Sequence, residues 1–318
     1  MTHNIWKLAG LVTAIGMAVS TPATAFPNKP VQIVVPFAAG GGTDITTRAM
    51  QEPMKDNLGK SVVVKNTAGA GGTVGVAEVA RAKADGHTVS MAPVGPLTTQ
   101  PHLNKLPYDV DSFEYVCLAY SAPSVVTVHK DAPYNDLAEL LAHARDHPGD
   151  VMIAIDAVGS IPHVASLGLA EAGEVEMDYL PVNGNGPALK ALLDGTADVF
   201  ISHQSFMAQN LEQLKGLAVL QPERLDGMPD LKTAKEQGFD LDFPIWGGLV
   251  VPAGTPQEAV DTLDDACRAA VESDSFQERM EQLGQPPSYL SASDFDQFVR
   301  QQYDRNKELL RNAGFETK

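Results

Sequence analysis

Val31-Gln-Ile-Val-Val-Pro-Phe-Ala-Ala-Gly-Gly-Gly-Thr-Asp44 is the stretch on which the fold turns. Its first five residues are largely apolar and β-branched, the composition of a short strand covered on both faces. Pro36 has no N–H to give a sheet ladder, so the strand is expected to end there. Gly40, Gly41 and Gly42 permit positive φ and let a ligand approach the main chain with no Cβ in the way. A helix is expected from Thr43 or Asp44, with unpaired N–H groups and partial positive charge in its first turn. Strand, glycine turn and helix start make an anion site that needs no basic side chain, and the loop is read as holding a carboxylate.

Working outward, Ile45 to Leu58 has helical character, with Pro53 inside it and Gly59 as a stop. Ser61 to Lys65 is a second strand, and it feeds Asn66-Thr-Ala-Gly-Ala-Gly-Gly-Thr-Val-Gly75 and a helix from about Val76. Two such units side by side in a parallel sheet point both loops at one edge, where α/β ligand sites lie. A third strand is expected over His87 to Ala92, followed by Thr98 and Thr99 in a loop lining the cleft. The long β-like run Tyr115 to Val128, broken at Ser121-Ala-Pro-Ser124, suits a crossing between two lobes. A second α/β unit follows. Its strands are expected near Val151 to Ile155, Met177 to Val182, Asp198 to Ser202 and Gly216 to Leu220. Trp246 to Val251 reads as the return crossing, with Thr255 capping the next helix and Pro256 at its first position. Amphipathic helices fill the rest.

The chain of 318 residues is 44% hydrophobic, enough for two lobes. Lys7, the apolar run Leu8 to Val19 and Ala23-Thr-Ala25 read as an export signal cleaved after Ala25, so residues 1–25 are expected to be absent from a mature periplasmic protein. The formal charge of −17 repels nucleic acid and anionic membrane, and no basic stripe offsets it. It suits solubility, and a saline medium would screen the self-repulsion. Cys117 and Cys267 cannot be paired from spacing. The tendency of cysteine to be buried leads to the expectation of two buried thiols rather than a bridge. No Cys/His set has zinc-ligand spacing, and no cofactor is expected.

Other chemistries fit less well. Gly69 to Gly75 is near a dinucleotide fingerprint, but its spacing is off by one and no acidic residue ends a strand about twenty residues later. Neither loop carries the Gly-Lys-Ser/Thr of a phosphate loop. Asp44 is read as satisfying backbone N–H groups rather than as a catalytic acid. Ser160 and His163 invite a nucleophile and base, yet no Gly-x-Ser-x-Gly or third member accompanies them, so both are read as groups at a helix start. His203 follows a strand end and is expected to face the cleft. Trp246 is expected to be packing. No catalytic residue is assigned.

These motifs resemble the substrate-binding proteins of tripartite tricarboxylate transporters, the Bug-type extracytoplasmic receptors. The likeness rests on the two glycine loops. It is extended by Leu106-Pro-Tyr-Asp109, Gly159-Ser-Ile-Pro-His163, Pro181-Val-Asn-Gly184, Leu193-Asp-Gly-Thr-Ala-Asp198, Leu217-Ala-Val219, Met228-Pro-Asp230, Trp246 to Pro256, and Gly284. The resemblance implies a two-lobed, type II-like periplasmic-binding α/β fold, two doubly wound sheets joined by a two-strand hinge. Lobe one would be residues 26–122 and 245–318, and lobe two residues 123–244.

It further implies that first-lobe main-chain amides and ordered waters hold a carboxylate. Carried over residue by residue, the donors lie at Phe37, Ala38, Gly41, Gly42, Thr43 and Asp44, and at Asn66, Ala70 and Gly71, with Thr98 beside them. Ser160, His163, Asn183, Gly184 and His203 would face them from the second lobe. Asn183 departs from the family's aromatic or Phe-Lys pair, and Ser202 and His203 stand where an acidic residue or Asn is common. The implied function is capture of a small organic di- or tricarboxylate by a monomer that delivers it to membrane permease subunits. The alternatives are a receptor for a membrane signalling kinase and, more remotely, an exported serine hydrolase.

Overall fold

The computed structural model describes residues 26–315 apart from Asn183 and Gly284. The export-signal reading of residues 1–25 and the ligand contact expected of Asn183 therefore lie outside the described residues. The first unit runs β1 (Val31–Val35), α1 (Gly42–Leu58), β2 (Val62–Asn66), α2 (Thr73–Ala80), β3 (Thr88–Pro93), α3 (Val94–Thr98), α4 (Gln100–Leu103) and β4 (Phe113–Ala122). At Pro123 the chain crosses into β5 (Ser124–His129), α5 (Leu137–Asp146), β6 (Met152–Ile155), α6 (Ile161–Gly173), β7 (Asp178–Pro181), α7 (Asn185–Asp194), β8 (Val199–His203), α8 (Gln204–Gln209) and β9 (Leu214–Leu220). It returns through β10 (Ile245–Pro252) to α9 (Gln257–Val271), α10 (Asp274–Leu283), β11 (Pro287–Leu290) and α11 (Ala292–Asn312).

The strands form two sheets, in the orders β11-β4-β10-β3-β1-β2 and β7-β6-β8-β5-β9. In each, three parallel strands carry the strand–loop–helix units. The next strand, β10 or β5, is inserted antiparallel from the far side of a crossing. This is the two-lobed binding-protein fold with two connecting segments, one at Pro123 and the other between Leu220 and Ile245. The sheets are mixed rather than wholly parallel, because each crossing strand enters against the direction of its neighbours.

Apolar side chains fill both faces of each sheet. On one face of the first, Ile33, Met50, Met54, Leu249, Leu263 and Phe276 pack under α1, α9 and α10. On the other, Trp246, Phe295, Val299 and Leu97 pack together, with Trp246 wholly buried. The second sheet is covered by Leu140, Val164 and Leu169 on one face and by Ala188, Phe206 and Met207 on the other. Gly59 ends α1 in the left-handed conformation at φ 60°, the role its position implies, while Pro53 sits inside that helix.

Four expectations are corrected. Cys117 and Cys267 are both buried, but they form a disulfide between β4 and α9, with Cα atoms 6.5 Å apart. Burial tendency treats each cysteine singly, whereas the packing of α9 across β4 brings these two together. Thr98 lies in α3 rather than in a loop and is fully buried. Its hydroxyl donates to Val94 O at 2.7 Å, and Asn306 Nδ2 lies 2.9 Å away. Thr255 is not the cap of α9. Its hydroxyl donates to Pro252 O at 2.7 Å, and the helix starts after Pro256. Finally, α2 begins at Thr73, where the turn Ala70–Gly72 runs straight into it.

The last helix belongs to both cores. Phe295 and Val299 pack with the first unit, whereas Leu309 packs with the second. Arg305 lies 4.0 Å above the Phe243 ring and donates to Asp242 O, and Asn312 donates to Glu171 at 2.8 Å.

Candidate ligand site between the lobes

The two glycine loops follow the C-terminal ends of β1 and β2, neighbouring parallel strands, and their exposed stretches span residues 38–42 and 68–71. They are tied together by side chains. Asn66 Nδ2 donates to Phe37 O at 3.0 Å and to Asp44 Oδ1 at 2.9 Å. The Asp44 carboxylate also accepts from Gly40 N at 2.8 Å and Arg48 Nε at 3.0 Å, and Arg48 Nη2 donates to Asn66 Oδ1 at 3.0 Å. Asp44 is only 2% exposed. Burial acts to raise its pKa, but Arg48, the Gly40 N–H and Asn66 outweigh it and hold the carboxyl below its ordinary value. Asp44 is thus a brace inside the loops, in keeping with the structural role expected of it.

Close backbone approach explains one of the glycines. A Cβ on Gly75 would lie 2.7 Å from both Pro36 Cα and Thr67 O, so only glycine lets α2 sit against the end of β1. Ala70 is held at φ 46°, uncommon for a residue with a Cβ. The start of α1 carries no side-chain cap at Gly41, which leaves its first N–H groups to an incoming acceptor. Thr43 is partly committed elsewhere, because its hydroxyl is engaged by Tyr120.

In the second unit, Ser160, Gly184 and His203 stand at the starts of α6, α7 and α8, at the C-terminal ends of β6, β7 and β8. The first lobe touches this cluster directly, since Thr99 Oγ1 donates to Gly159 O at 2.7 Å. His203 Nδ1 accepts from Phe206 N at 3.2 Å and lies 2.6 Å from Ser205 Oγ, while its Nε2 lies 3.2 Å from Asn185 Nδ2. Burial lowers its pKa.

Ser160 and His163 are not arranged as nucleophile and base. Ser160 Oγ accepts from His163 N at 3.4 Å, and His163 Nδ1 accepts from Gly159 N at 3.1 Å. The His163 ring is 2% exposed, held edge-on by Tyr179 and Phe315, and burial pushes its pKa down to about 4. The unfolded imidazole takes up a proton near 6.5, whereas the folded one does not until about 4. The unfolded state therefore binds more protons in between, and stability falls as pH drops through that window. We expect this residue to contribute about 2 kcal/mol of the loss between pH 7 and 4.5. Urea unfolding of wild type and His163→Asn at both pH values checks it. The variant should lose correspondingly less, and an identical pH response in both proteins contradicts the assignment.

The expected residues therefore sort into three groups. Phe37, Ala38, Gly41, Gly42, Thr43, Asn66, Ala70 and Gly71 belong to the two tied loops with Asp44 buried between them, and Ser160, Gly184 and His203 to the helix starts of the second unit. Thr98 and His163 are buried. Thr99, expected beside Thr98 at the cleft, reaches Gly159, while Arg48, Asp156 and Asn185 are not singled out by the sequence. Only Arg48 carried a signal, its four-residue spacing from Asp44 on a helix. Among the described residues no group of three His, Cys, Asp or Glu is placed to hold a metal ion.

The family model described as "Tripartite tricarboxylate transporter family receptor" matches residues 46–315. A UPF0065 protein of Bordetella pertussis is 30% identical over 317 residues, 98% of either chain. A TctC solute binding protein from Polaromonas, solved without ligand, superposes with a TM-score of 0.82 at 28% identity, covering 91% of this chain and 100% of its own. MatC from Rhodopseudomonas palustris, solved with bound malate, gives a TM-score of 0.74 at 30% identity, covering 90% of this chain and 100% of its own. Family and neighbours are solute-binding receptors, not enzymes, which sets the hydrolase alternative aside. With its paired loops, sheet order and near full-length match, the chain belongs to the tripartite tricarboxylate transporter receptor family.

Proposed function

We propose that this protein is a periplasmic receptor that grips a small organic carboxylate between its lobes through first-lobe backbone amides. It would then pass the ligand, as a monomer, to the permease subunits of a tripartite transporter. The observation that carries the reading is the Asn66–Asp44 brace, which joins two glycine loops at neighbouring strand ends while leaving their main chain exposed. Charge-assisted N–H to carboxylate bonds are worth roughly 1.5–3 kcal/mol each. A handful of them, less the cost of ordering and closure, gives about micromolar affinity. The malate held by MatC supports the ligand class. Lobes at residues 26–122 with 245–318, and 123–244, would close by hinge motion, which the ligand favours by touching both. No helix among the described residues is long and apolar enough to cross a membrane.

A thermal-shift panel of aliphatic mono-, di- and tricarboxylates tests this. A true ligand at a hundredfold excess over its Kd stabilises by about 2.7 kcal/mol, roughly 4 °C for a chain of this size. Stabilisation by amines or sugars alone overturns the reading.

A further inference from the structure

The loop cluster of the second lobe contains an acid that its packing leaves half-used. Asp156 follows β6, which lies between β7 and β8. Parallel pairing sets Ile155 beside Pro181 and Ala154 beside Phe200, so one and two residues further on Asp156 lies beside Val182 and Ser202, at the base of the loops carrying Gly184 and His203. Asp156 lies in the bend that ends β6, and its carboxylate accepts from the Gly184 N–H at the start of α7. Asp156 Oδ1 is shut off from the surface and has no hydrogen-bond partner. Burial raises the carboxyl pKa, and the Gly184 N–H only partly counters it. A buried acceptor without a donor is costly, and a donor brought by a ligand relieves it.

The two lobes therefore present opposite chemistry. The first offers N–H groups to an anion. The second has its own carboxylate at the start of α7, where a ligand's second carboxylate would otherwise find favourable helix N–H groups. An anion placed there meets like charge, whereas a hydroxyl or ammonium meets an acceptor.

We propose that Asp156 is a specificity-determining residue that selects carboxylates carrying a hydrogen-bond donor, hydroxyl or ammonium, away from the gripped carboxyl group. The proposal rests on the carboxylate reading above. Its test is calorimetric titration with matched pairs, namely malate against succinate, aspartate against succinate, and 4-aminobutyrate against butyrate, on wild type, Asp156→Ala and Asp156→Ser. Wild type should bind the donor-bearing member of at least one pair tenfold or more tighter. Both variants should bring that ratio to within about twofold while still binding the unsubstituted acid. The hydroxyl and ammonium pairs show which donor is preferred, and thermal melts confirm that each variant is folded. A wild-type preference for the unsubstituted acids, or a donor preference that survives in both folded variants, overturns the proposal and leaves carboxylate capture standing. If no carboxylate binds wild type, carboxylate capture fails, and this proposal with it.

Discussion

Asp44→Ala is expected to weaken carboxylate binding by about a hundredfold and to lower the unfolding free energy by about 3 kcal/mol. The carboxylate is buried, and it is the common acceptor for Gly40 N, Asn66 Nδ2 and Arg48 Nε. Removing it leaves the Gly40 N–H and one N–H of the part-buried Asn66 amide without an acceptor, while Asn66 keeps Phe37 O and the half-exposed Arg48 turns to water. The second glycine loop then loses its link to the start of α1, and ordering both loops must come out of ligand affinity. Asp44→Asn keeps the shape and one acceptor, so its effect should be smaller in both measurements. Calorimetry with the strongest carboxylate from the thermal-shift panel, together with urea titration, checks the pair. Full affinity in a folded Asp44→Ala protein would show that the brace does not shape the site.

The second large effect concerns the Cys117–Cys267 bond. Its sequence separation of 150 residues places it at the long-loop end of the chain-entropy relation, where loss of the cross-link costs about 5 kcal/mol. Relaxation of the unfolded state brings typical values down to about 2–4 kcal/mol. We therefore expect Cys117→Ser/Cys267→Ser to lower the unfolding free energy read from urea titration by that range, with ligand affinity nearly unchanged, since the bond joins β4 to α9 and not the two glycine loops. A double variant as stable as wild type would mean that the bond constrains little in the unfolded chain.

Much of this was legible because it depends on local chemistry. The run at Val31–Val35, Pro36, the glycines and the stop at Gly59 act through backbone conformation, which neighbouring residues decide. The break at Pro123 could be read in the same way, because a β-rich run interrupted by Ser121-Ala-Pro-Ser124 has nowhere to continue in one sheet. What escaped depends on residues far apart. Thr98 looks like a loop residue until Asn306, far along the chain, is found beside its hydroxyl. The cysteine pair is set by α9 crossing β4. The role of α11 in both cores is hidden because its amphipathic pattern fits packing on one sheet as well as on two. Asp156 gave no signal, since an acid at a strand end is ordinary until its surroundings are known.

The covalent ring also bears on the order in which the molecule is made. A ribosome releases Cys117 long before Cys267, and every strand of the second sheet lies between them. That sheet is therefore synthesised in full before the ring can shut, and it is free to collapse as an open segment. The partner thiol lies on α9, and α10, β11 and α11 still follow it, so the bond can close once the whole second sheet has been made and before the first core is finished.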